Sequence, residues 1–126
     1  MTEKEEFIEK MKARTHKFAV DVILFCNSLK PCKASDVITY QLVKAATSVG
    51  ANYRAACKAR SRNEFFSKIC IVTEESDESE YWLTIIRDTD LSNDKKEQQR
   101  LLTEAEEILK IMSKAKNSTY TNIHKY

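Results

Sequence analysis

Apolar residues recur along the chain at steps of three, four or seven, and four stretches carry the pattern. In the first, from about Thr2 to Lys30, Phe7, Met11, Phe18, Val22, Phe25 and Leu29 share one helical face. The stretch stops before Pro31, which lacks the N–H a continuing helix needs. Pro31, Cys32 and Lys33 form a short link. Ser35 or Asp36 can cap a second helix reaching about Ala59, with a stripe of Ile38, Leu42, Ala45, Val49 and Ala56.

The third stretch opens with Ser61-Arg62-Asn63-Glu64, which matches a capping box. It has the most regular seam: Phe65, Ile69, Val72, Ser76, Ser79, Leu83 and Ile86, spaced 4-3-4-3-4-3. Two serines make the centre of that seam small and polar. The link Asp88–Ser92 leads to a fourth helix from about Asn93 to Lys116, where Leu101, Ala105, Ile108 and Met112 repeat the pattern. Leu102 and Leu109 widen its stripe. From Asn117 to Tyr126 the sequence is polar and aperiodic, so a flexible tail is expected. The spacing predicts an all-α fold: an antiparallel up-down-up-down four-helix bundle over residues 1–116, with a tail at 117–126.

Composition sharpens this. The 126 residues include one Gly and one Pro, where average usage would give about nine glycines. Hairpins, β-bulges and phosphate-cradling loops all draw on glycine. A β-rich fold, a Walker loop and a dinucleotide-binding turn are therefore poorly supported. The single glycine, Gly50, lies inside the second helix. There it costs about 1 kcal/mol against alanine. Its expected compensation is a close approach to a neighbouring backbone.

The net charge of +2 conceals two regions. Tyr40 to Cys70 holds six basic residues and one acidic residue, a net of +5, whereas Ile71 to Lys110 holds five basic and twelve acidic, a net of −7. Lys44, Arg54 and Lys58 fall within roughly an 80° sector of the second helix, opposite its core stripe. Arg60, Arg62 and Lys68 continue the charge into the third helix. Such a patch can hold RNA or DNA phosphates and would bind with a marked salt dependence. The same residues also describe a solvated helix face. Aromatic interleaving is thin, with Tyr53, Phe65 and Phe66 nearby, so single-strand stacking is a weak signal.

The third helix carries a second stripe about 100° round from the first: Ile71, Glu75, Glu78, Trp82 and Ile85. A surface helix normally has one apolar stripe. Two readings follow, a broad face buried in the bundle or an interface with another chain, in which Arg or Lys would face Glu75 and Glu78. A second copy of this chain is the economical partner, and another protein is the alternative.

No constellation points to catalysis. His16 and His124 are far apart in sequence, and Cys26, Cys32, Cys57 and Cys70 form no C-x-x-C. No Glu-x-x-His occurs, which excludes the di-iron bundle pattern. The expectation is a non-enzymatic protein with no metal and no cofactor. No apolar run reaches the roughly 18 residues of a membrane span. The first residues, MTEKEEFIEKMKAR, do not read as a signal peptide. Reduced thiols in a cytoplasmic protein are the expectation, and the sequon at Asn117-Ser118-Thr119 carries almost no weight.

The run Ser48 to Leu83 also resembles the bacterial four-helix-bundle family named for proteins encoded in 23S rRNA intervening sequences. The resemblance rests on Ser48-Val49-Gly50-Ala51-Asn52-Tyr53-Arg54, on Ala59-Arg60-Ser61 with Glu64-Phe65, and on Glu75 and Glu78 leading into Tyr81-Trp82-Leu83. In helix length and pattern it extends from about Phe7 to Lys114. Many members have Glu where this chain has Ala55 or Ala56. The resemblance implies a four-helix bundle assembling as a ring-like homopentamer, in a family most of whose members have no established activity. A similar bundle is the accessory protein of diversity-generating retroelements, a basic pentameric barrel that binds nucleic acid and the reverse transcriptase.

Overall fold

In a computed structural model, which describes residues 1–124, the chain forms four helices: α1 (Glu3–Asn27), α2 (Lys33–Cys57), α3 (Arg62–Asp88) and α4 (Lys95–Ile123). Consecutive helices pack side by side, and α4 closes the ring against α1 through the sparsest of the four seams. Short links between neighbours give the antiparallel bundle expected from the spacing.

The core follows the stripes. Met11, Phe18, Val22 and Phe25 of α1 are buried with Ile38, Leu42, Ala45, Val49 and Ala56 of α2. From α3 come Ile69, Val72, Leu83 and Ile86, and from α4 Leu101, Leu102, Ala105, Ile108 and Met112. The two seam serines are fully buried, and each hydroxyl donates to its own helix: Ser76 to the Val72 carbonyl at 2.7 Å and Ser79 to that of Glu75 at 2.8 Å. Small polar side chains can line a core this way because the helix satisfies them internally.

Two boundaries and one capping box differ from the sequence reading. The N-cap of α2 is Cys32, not Ser35 or Asp36: its Sγ accepts the Ser35 N–H at 3.4 Å, and the Ser35 hydroxyl accepts the Cys32 N–H at 3.1 Å. Helix α2 thus begins as soon as the chain clears Pro31, with Ser35 in the third helical position of a reciprocal box. At α3 only half of the expected box forms, with Ser61 Oγ accepting the Glu64 N–H at 3.0 Å.

The largest difference is at the C-terminus. Helix α4 continues through Asn117 to Ile123, where a polar tail was expected. Nothing in Asn117–Ile123 breaks a helix. Thr119 and Thr121 donate back to the carbonyls of Ala115 and Asn117, and the Tyr120 ring packs on Phe66 of α3 with centroids 5.8 Å apart. The last two residues of the expected tail, 125 and 126, lie outside the described residues.

The turn after α3 shows how the chain manages with one glycine. Asp90 takes the left-handed conformation at φ 57°, the Asp90 N–H donates to the Arg87 carbonyl, and the Leu91 N–H donates to that of Ile86. This is a Schellman ending with aspartate in the usual glycine position, which Asp tolerates better than most residues. Asp90 also pairs with Lys30 and Lys95, and the Lys30 N–H donates to the Leu91 carbonyl at 2.9 Å. The α1–α2 and α3–α4 links are thereby tied together at one end of the bundle.

Candidate functional site

The six cations singled out from the sequence lie on α2, the α2–α3 link and the start of α3. Lys44, Arg54, Lys58, Arg60 and Arg62 are exposed and Lys68 is half-buried. Among the described residues none of the six forms an ion pair. The arginines at the α1–α4 seam are engaged instead. Arg14 meets Glu104 in a two-pronged contact at 2.6 and 2.8 Å and reaches Glu107 at 2.6 Å, while Arg100 joins Glu97 to Asp21 of α1. These pairs clip the sparsest seam and leave the α2–α3 cations unneutralised.

The structure divides the six rather than gathering them into one spot. Arg54 borders a groove between α1 and α2, which Lys12 and His16 also line. The charge of Lys44 is felt instead at Glu75 of α3, where it favours the ionised carboxyl against burial and the like charge of Glu78. Arg60 and Arg62 stand at the rim of a cleft where the start of α1, the α2–α3 link and the end of α4 converge. The cations therefore run as a band along the outside of α2 and over one end of the bundle.

The second stripe of α3 is half-buried at every position, from Ile71 through Glu75, Glu78 and Trp82 to Ile85. Trp82 and Ile85 pack against the core of their own bundle. The Trp82 Nε1–H points to Glu78 at 3.4 Å, and the neighbouring Tyr81 ring meets Trp82 edge-on. Burial, with the like charge of Glu78 second, pushes the Glu75 carboxyl above the usual carboxylate range. So a carboxylate is held partly out of water with no cation bound to it among the described residues.

Other polar groups are settled by local structure. His16 is exposed on α1, and His124 caps α4 with its ring 4.2 Å from that of Tyr120. All four cysteines are free. Burial pushes the Cys26 thiol up to about 11, while hydrogen bonds from Ser35 hold the exposed Cys32 thiol below the ordinary range. No helix is long and apolar enough to cross a membrane among the described residues.

The sequence reading missed the end cleft. Lys4, Phe7 and Ile8 of α1 and Thr119 and Asn122 of α4 join Arg60 and Arg62 there. Phe7, which its spacing assigns to the core stripe, is instead 50% exposed at this cleft, because it lies beyond the last buried layer of the bundle that begins at Met11.

Fold and surface define a four-helix bundle with a net-positive segment on α2 and the start of α3, where one acidic residue stands among six basic ones. The chain belongs to the 23S rRNA-intervening sequence protein family, whose model matches residues 9–114. Among solved structures it is similar to a protein of unknown function from the S23 ribosomal protein family of Bacteroides thetaiotaomicron VPI-5482. The two share 29% identity and a TM-score of 0.73, over 83% of this chain and 96% of that one. The comparison with curated proteins finds no match.

Proposed function

We propose that this is a non-enzymatic, oligomeric bundle of the cytoplasm that binds RNA or another nucleic acid through Lys44, Arg54, Lys58, Arg60, Arg62 and Lys68. The observation that carries the reading is the net charge of +5 over Tyr40 to Cys70, whose six cations form no ion pair among the described residues. Unpaired guanidinium and ammonium groups remain available to phosphate oxygens. Contacts would be mainly to the backbone, giving weak sequence preference and a steep salt slope. Fluorescence anisotropy with 23S rRNA fragments across a salt series tests it. Binding at low salt that weakens in a Lys58→Glu/Arg62→Glu variant supports the reading; no binding at low salt, or an unchanged affinity in that variant, overturns it.

A second reading is favoured by the half-buried stripe of Ile71, Glu75, Glu78, Trp82 and Ile85. Here the bundle is an assembly scaffold or protein–protein adaptor, and Arg54 or Lys58 of a neighbouring copy meets Glu75 or Glu78. The pentamer implied by the family resemblance would supply that neighbour. Sedimentation of Trp82→Ala is the test: an oligomer that persists unchanged removes Trp82 from the interface.

A further inference from the structure

The cleft at the basic end of the bundle has features that phosphate binding alone does not use. Its volume of about 590 Å³ falls within the range of small-molecule sites. All four helices wall it, and the small side chains of Ala56, Ala59 and Ala115 leave the space open. Phe7, Ile8, Phe65 and Ile111 form an apolar part of the wall above the buried Met112, with Ser61, Thr119 and Asn122 beside them. Its charged lining is entirely cationic: Lys4, Arg60 and Arg62, none of them ion-paired among the described residues. Phe7 is 50% exposed and Ile8 and Phe65 are half-buried, so surface with core periodicity stays open to solvent here. Apolar surface left uncovered beside unpaired cations is complementary to a ligand that has both an apolar body and an anionic end.

We propose that this end cleft binds an amphiphilic organic anion, a fatty-acid-like carboxylate or an alkyl phosphate. Its tail lies against Phe7, Ile8, Phe65 and Ile111, and its head lies between Lys4, Arg60 and Arg62. The planar fork of arginine matches either head group. Ser61, Thr119 and Asn122 also line the cleft and offer hydrogen bonds, so a nucleotide such as adenosine monophosphate is the competing occupant. The inference stands apart from nucleic-acid binding, because it depends on the apolar walls as well as on the cations.

Calorimetric titration with decanoate, decyl phosphate, decanol and adenosine monophosphate tests it. At least one of the two anions should bind at one per chain, about tenfold or more tighter than decanol, and the tighter of them identifies the head. An Arg60→Ala/Arg62→Ala variant should reduce that preference over decanol. Ala115→Phe, which fills the cleft, should abolish binding of the anions and leave any RNA affinity unchanged. Methyl NMR supplies a readout independent of that variant's folding: the signals of Ile8, Ile111 and Met112 should move with saturation while those of Ile38 and Leu91 stay still. Failure of both anions to bind, an affinity no better than decanol, stronger binding of adenosine monophosphate, or shifts confined to other methyl groups would each overturn the proposal.

Discussion

An ideal Cβ placed on Gly50 of α2 would lie 3.5 Å from both the carbonyl oxygen and the Oγ1 of Thr15 on α1. Thr15 is fully buried, and its hydroxyl donates to the Met11 carbonyl at 2.9 Å. The one glycine of the chain therefore faces a fixed piece of neighbouring backbone. A spacing of 3.5 Å is ordinary van der Waals contact, which a methyl group meets without displacement.

Gly50→Ala is accordingly expected to fold and to gain about 0.5–1 kcal/mol, because alanine restricts the unfolded chain and has the better helix propensity. Gly50→Leu should lose about 1–3 kcal/mol through overpacking against Thr15. Urea titrations of the two variants beside the parent measure both. A leucine variant as stable as the parent would show that the approach to Thr15 does not restrict this position.

The Arg14–Glu104 contact should give the bundle an acid-sensitive seam. Hydrogen bonds from Arg14, opposed by burial, hold the Glu104 carboxyl below the usual glutamate range. Because the folded-state pKa is depressed, the stabilisation is present above the ordinary glutamate value and is lost as pH falls through the folded one. Glu104→Gln should cost about 1–2 kcal/mol at pH 7, and the difference from the parent should shrink below about pH 4. Equal penalties at pH 7 and pH 3 would argue against a charge-based contribution.

Glu75 should behave in the opposite sense. Its carboxyl is raised above the ordinary range, chiefly by burial, so the ionised form opposes folding at neutral pH and the cost disappears as the group protonates. Glu75→Gln should stabilise the isolated chain at pH 7 by on the order of 0.5 kcal/mol and make no difference once both states are protonated. If the same substitution weakens an oligomer, Glu75 has a cationic partner on a neighbouring copy. Melting and sedimentation at two pH values separate these effects.

Thiol chemistry should single out Cys32. It is exposed, and the Ser35 backbone N–H and hydroxyl favour its thiolate, whereas burial raises Cys26 and Cys57. Timed iodoacetamide labelling with mass spectrometry should modify Cys32 first and Cys26 last. Prior labelling of Cys26 would mean that α1 opens in solution.

The helices and their buried faces were legible because helical periodicity is local. Ile69, Val72, Ser76, Ser79, Leu83 and Ile86 are buried as their spacing required, even through two serines. The cap of α2 was misplaced because cysteine is a poor capping signal, yet its Sγ accepts the Ser35 N–H all the same. The end of α4 was misplaced because polarity was taken for the absence of structure. Tyr120 finds Phe66 across the bundle, and no local rule reports that contact.

By itself the sequence determined an all-α bundle, the core stripes and the band of cations on α2 and early α3, since each depends on residues within a few turns of one another. Only the tertiary structure decided which arginines are engaged, that the second stripe of α3 half-packs into its own bundle, and that Phe7, Arg60, Arg62 and Ala115 border one cleft. Those outcomes are distances between residues remote in the chain, and they are set by how four helices of unequal reach end against one another.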